Sequence, residues 1–233
     1  MKHSRTNKSS NLTHIDFDSA LANTSMDELR ESVREVLEML SDVDERAHGR
    51  VVDSLLHRAA RGSSDWSPTA LSDAQVAEVL DFTRIVRRKG RAAPEDVDDY
   101  LRLGSAAFRR KDYAAAHQIF DALLCPICNG ELYLGEEEMV EQVLCVDPAE
   151  CAVQYVISTY MITPAAKRVG AVRAAIDEAQ SLGNFREPLH EMERVAIEPL
   201  PDVEVFLRQW QTCLATEVSG RTGLELWKRT LAA

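Results

Sequence analysis

The chain lacks any run of about eighteen apolar residues, so the sequence offers no membrane-spanning helix. It has no glycine-rich phosphate loop, no nucleophile elbow and no dinucleotide fingerprint, which removes the enzyme classes defined by those backbone devices. The six histidines are scattered. His190-Glu191 is followed by Arg194 where a zinc-protease helix needs its second histidine. Aromatic residues make up 6% of the chain, and no stretch alternates apolar and polar residues between turn signals, so strands are not expected. Cations are too few to balance the acids: 27 Lys and Arg face 38 Asp and Glu, a net charge of −11. That balance argues against general binding to nucleic acid or to an anionic membrane. The five cysteines are an odd number, and the basic, polar start MKHSRTNKSSNLTH is not followed by an apolar core, so no secretory signal is expected. Reduced thiols, a cytoplasmic location and an unused Asn11-Leu12-Thr13 glycosylation match are the corresponding expectations.

What is present belongs to a globular helical protein. The 233 residues are 45% hydrophobic and 28% charged, enough for one sizeable core or two small ones. Ala, Leu, Glu and Arg are abundant, which favours helix. Residues 1–23 lack apolar periodicity and read as a disordered tail. Residues 24–61 read as an N-terminal helical pair and residues 70–233 as the main helical domain, with Arg61 to Thr69 as the linker.

Local signals divide this into helices. Ser25 with Glu28, and Ser72 with Gln75, have capping-box spacing. Met26, Leu29, Val33, Val36, Leu37 and Leu40 form one stripe after the first box. A second helix is expected from about Asp44 to Arg61, and a third is expected to stop at Gly90. Pro94 suits the first turn of the next helix. Pro126 and Asn129-Gly130 are expected to break the chain, followed by a short helix from Glu136 to Cys145. Asp147-Pro148 and Thr163-Pro164 each place a capping side chain before a proline, predicting two helix starts. The second of these helices should end at Gly183-Asn184. Glu187 to Val195, a helix starting at Asp202 and carrying Phe206, Trp210, Cys213 and Leu214 on one face, and a last short helix over Leu224 to Leu231 complete the reading.

Tyr100 to Leu124 is the most legible stretch. Its apolar residues recur at three and four positions in two segments that fold back at Arg109-Arg110-Lys111-Asp112. Gly104, Ala107 and Ala114 to Ala116 are small where two helix backbones would touch. Tyr100, Leu103, Gly104, Ala107, Ala116 and Phe120, with Lys111-Asp112-Tyr113 at the turn, fall in a register that resembles the tetratricopeptide repeat. Leu123 stands where that repeat prefers Ala, and Cys128 where it prefers Pro. The likeness spans residues 97–124, one repeat. It implies an all-α chain of antiparallel helical hairpins forming an irregular repeat solenoid or helical bundle. It also implies a function as scaffold, adaptor or chaperone, binding a protein or peptide partner without catalysis.

Two constellations offer an alternative. Cys125 and Cys128, with Cys145 and Cys151 further on, have one half of a zinc-knuckle spacing; the second half is five residues wide rather than two. The plainer reading makes these cysteines small apolar residues at helix ends and faces. Arg84, Arg87, Arg88, Lys89 and Arg91, with Arg109, Arg110 and Lys111, form the one basic run and the one candidate binding site. It suits a phosphate backbone or an acidic peptide, or simply complements the negative end of a helix. A zinc-stapled regulatory domain touching nucleic acid is therefore the second reading, while no cofactor and no enzymatic site are expected.

Overall fold

Ten α-helices and no strands are found among the described residues of the computed structural model, which are 21, 23–62, 66–135, 139–183, 185 and 187–220. They are α1 (Met26–Val43), α2 (Glu45–Gly62), α3 (Asp73–Lys89), α4 (Pro94–Arg109), α5 (Tyr113–Cys128), α6 (Val140–Val143), α7 (Pro148–Ile162), α8 (Arg168–Ala179), α9 (Pro188–Val195) and α10 (Val203–Gly220). None is long and apolar enough to cross a membrane. The tail before residue 21 and the helix expected at Leu224 to Leu231 lie outside the described residues.

By internal contacts the chain divides into Met1–His48 and Gly49–Ala233, a boundary that falls inside α2 rather than in the segment Arg61 to Thr69. In the first unit the expected capping box of α1 is complete: the Ser25 hydroxyl accepts the Glu28 N–H, and Glu28 accepts the Ser25 N–H at 2.9 Å. No residue of α1 is buried; Met26 is 63% and Val43 83% exposed.

The second unit is organised by α7, apolar on nearly every side and covered on every side, and by α5, which buries a broad apolar face and leaves Ala114, Gln118 and Asp121 exposed. α5 packs against α3, α4, α7 and α8. α7 packs against α4, α5, α8 and α9, and every residue from Cys151 to Tyr160 is buried. Its buried hydroxyls are satisfied within the helix, Ser158 donating to the Gln154 carbonyl at 2.7 Å and Thr159 to that of Tyr155 at 3.0 Å. The closest partnership is α4 with α5, the expected hairpin. Gly104 makes it possible, since a Cβ there would lie 2.8 Å from the Phe120 ring and 3.0 Å from Ile119. The turn needs Lys111 in the left-handed region, φ 67°, and Asp112 then caps α5 through the Ala115 N–H.

Several boundaries differ from the sequence reading. Pro126 does not end the hairpin: α5 runs through it to Cys128. Pro126 forgoes the bond to the Ala122 carbonyl and crowds it, a cost that burial of Pro126 and Ile127 offsets. Pro126 is buried, and its carbonyl accepts the Glu131 and Leu132 N–H groups as the chain turns away. The helix expected over Glu136 to Cys145 is the single turn α6, with residues 136–138 outside the description. It stops early because the Cys145 and Val146 N–H groups both donate to the buried Asp98 carboxylate at 2.9 Å. Thr163-Pro164 does not start a helix either. Thr163 ends α7, a 3-10 turn follows at Ala165–Lys167, and α8 begins at Arg168. α8 ends at Ala179, before Gly183.

Candidate functional site

The site that best suits binding is a cleft between α8, α9 and α10, and one arginine sets its geometry. Arg168, 8% exposed at its side chain, stacks over the Tyr160 ring at 4.4 Å. Its Nε donates to the carbonyls of Tyr160 and Thr163 at 3.1 and 3.3 Å, and its Nη1 to that of Pro201 at 3.1 Å. The Tyr160 hydroxyl donates to the same Pro201 carbonyl at 2.6 Å. The end of α7, the start of α8 and the approach to α10 are thereby held at one point, and the chain leaves it through Asp202 at φ 57°. Phe206, next along α10, meets Tyr160 edge-on at 5.1 Å and lies 5.5 Å from Trp210.

The cleft so formed measures about 140 Å³. Buried Val172 and Met192 form its floor, Leu189, Phe206, Leu207 and Trp210 its walls, and Glu187 and His190 its exposed rim. A cavity of about 150 Å³ with aliphatic and aromatic walls accommodates a benzene ring. This one therefore has room for a single ring or a branched aliphatic side chain. Its lining residues are mostly apolar, with His190 and Glu187 at the rim. Phe206 and Trp210 were legible as one helix face; that Leu189 and Met192 close against them was not.

Within the basic run, Lys89 and Arg91 line one open cavity together with Phe82 and Asp96. Arg84 pairs with Asp81 at 3.0 Å and Arg87 with Glu131 at 2.5 Å. Arg88, Lys89 and Arg91 are exposed on the end of α3 and the turn after it. Arg110 donates to Ser67 and to the Pro68 carbonyl, and Lys111 pairs with Glu198 at 2.8 Å. Arg109 is turned inward, with its side chain 4% exposed.

The cysteines do not converge. Cys151 is buried beside Ser105, and Cys145 lies opposite Gly49. Cys125 instead joins Asp121 and Glu178, the one group of three metal-capable side chains gathered within 4.8 Å among the described residues. The Tyr155 hydroxyl lies 3.0 Å from Asp121 and 2.9 Å from Glu178, so a single phenol proton faces two carboxylates. Burial pushes the Cys125 thiol up to about 12, and burial with the neighbouring Cys125, Glu178 and Asp121 raises the Tyr155 phenol. Asp121 and Cys125 share a helix face by their spacing of four. Glu178 comes from α8, and nothing in the sequence pairs it with them.

No protein-family model, curated protein or solved structure matches this chain. The identification therefore rests at the class defined by the helices: an all-α protein with a globular helical unit around α5 and α7.

Proposed function

We propose that the chain is a non-enzymatic protein-binding module that receives an apolar side chain of a partner protein or peptide in the cleft between α8, α9 and α10. The observation that supports this reading is the cleft itself, an opening walled by Leu189, Phe206 and Trp210 and sized for one such side chain. Aromatic anchors in a desolvated pocket carry most of the energy of a typical interface. The likeness of the α4–α5 hairpin to the tetratricopeptide repeat points the same way by analogy of fold. A photo-crosslinker at Leu207 in the expressed chain tests it. The reading expects a specific adduct with a second protein, lost on Leu189→Glu while helicity is unchanged. An adduct indifferent to that substitution, or one only to residues 221–233 of the same chain, contradicts it.

The group Asp121, Cys125 and Glu178 favours a second reading, a surface that holds a divalent metal. Carboxylate and thiolate donors suit zinc, which would displace the thiol proton. Elemental analysis of the native protein and of Cys125→Ser separates the readings: a metal lost with the thiol supports this one, and substoichiometric metal in both removes it.

A further inference from the structure

Helix α1 spaces its apolar residues by three and four without a break: Met26, Leu29, Val33, Val36, Leu40 and Val43. This is the heptad period of a helix that packs lengthwise on another helix, with Met26, Val33 and Leu40 at the a positions and Leu29, Val36 and Val43 at d. The seam is as long as the helix, opening one residue after the Ser25 cap and closing one residue before Asp44, whose N–H donates to the Leu40 carbonyl. Of the eight charged side chains of α1, seven stand at the outer b, c and f positions. Only Arg30 flanks the seam, and it is turned to Asp27 at 2.9 Å.

No described residue closes over this face. Met26, Val33, Val36 and Val43 are exposed, and Leu29 and Leu40 half-buried. An apolar stripe of this width favours a covering partner, and the order of its residues says which. Parallel helix pairs favour a β-branched residue at a and Leu at d. The first half of α1 has that order, Leu29 at d and Val33 at a, but the second half inverts it, with Val36 at d and Leu40 at a. In an antiparallel pair of identical helices each a side chain meets a d side chain, and the inversion becomes a match. Leu29 then meets Leu40 of the second copy, Val33 meets Val36, and Met26 meets Val43, so no apolar position of the seam is left over. The flanks agree with this order. Arg30 falls opposite Leu37, over which its aliphatic stem can lie, and Ser32 falls opposite Met39, so no like charges are brought together.

We propose that α1 is a self-association surface that pairs antiparallel with the α1 of a second copy of this chain. The two-fold axis relating the copies crosses the seam between Val33 and Val36, which makes the surface its own complement. The 18 residues of α1 span only about 27 Å. The pair is therefore smaller than a standard interface, and a Kd of about 10 μM is expected. This pairing is independent of the cleft between α8, α9 and α10.

Sedimentation equilibrium of the full chain between about 1 and about 200 μM, a range that brackets that Kd, reads the pairing directly. The weight-average mass should rise from 26.0 kDa towards twice that value. Leu29→Lys and Leu40→Glu each put two charges into apolar layers of the pair, and each should weaken association at least about a hundredfold, leaving monomer across the range. Combined in one chain, they set each Lys against a Glu of the second copy and should restore the dimer to within about tenfold of the wild type. A parallel pair would instead set Lys on Lys and Glu on Glu. The rescue also separates lost pairing from lost helix, since both substitutions are then present together. The proposal is overturned if the wild type stays at 26.0 kDa throughout, if Leu29→Lys associates as the wild type does, or if the double variant remains monomeric.

Discussion

Single atoms decide the tightest contacts of this protein, and three residues expose them. At Gly104 the added methyl of Ala would gain about 1 kcal/mol of helix propensity but would stand 2.8 Å from a fully buried Phe120 ring. Overpacking costs about 1 to 3 kcal/mol, and with no free space around the ring it prevails; Gly104→Ala should lower the urea midpoint with an unchanged slope. Asp98 holds two backbone N–H groups from inside the protein. Asp98→Ala orphans both and should cost roughly 3 kcal/mol in the same assay, whereas Asp98→Asn, with one acceptor oxygen, should cost about half of that. His57 is held neutral by burial first and by the charges of Arg109, Arg61 and Arg194 after that, which bring its pKa down to about 4. Its unfolded value of about 6.5 is the higher one, so between those values the unfolded chain binds the extra proton. The His57 contribution to stability is therefore complete above about pH 6.5 and is lost as pH falls towards 4. Glu150, raised by burial, acts in the opposite sense, its contribution fading as pH rises through its folded pKa. The melting temperature of the wild type should fall between pH 6.5 and 4 more steeply than that of His57→Gln; equal slopes would refute the assignment.

At the scale of elements, the caps were the legible part because a cap is a contact within four residues. The Ser25 and Ser72 boxes, the left-handed Gly90 stop and the Asp147-Pro148 start all form as their spacing requires. Thr163-Pro164 carries the same signal as Asp147-Pro148 and has the opposite outcome, because a distant group competes for it. Arg168 takes the Thr163 carbonyl and converts the expected first turn into a 3-10 bend. Pro126 departs from its sequence signal for a related reason, burial of the last turn of α5 outweighing a missing N–H. The Arg168 clip also gives the sharpest element-level prediction. Arg168→Ala leaves the Tyr160 and Thr163 carbonyls short of a donor and should cost about 3 kcal/mol. Hydrogen exchange should show α10 losing protection before α5 and α7 do. Arg168→Lys should not restore it, since an ammonium cannot fork between carbonyls and stack on Tyr160 at once.

For the molecule as a whole, the all-α class followed from composition and periodicity, and the helices bear it out. The sites did not follow, because each is assembled from residues far apart in the chain. Glu178 reaches Cys125 across 53 positions. Leu189 meets Phe206 and Trp210 in the cleft beside which α10 packs on α8. A periodic stripe states which face of a helix is buried, and it is silent about which helix covers it. Cleft occupancy is the central claim, and Trp210 reports on it directly. With Trp66 and Trp227 replaced by Phe, Trp210 is the sole tryptophan of the chain. Adding the partner captured through Leu207 should shift the Trp210 emission to the blue, saturating at one partner per chain and vanishing with Leu189→Glu. Binding that leaves the Trp210 emission unmoved would contradict the account.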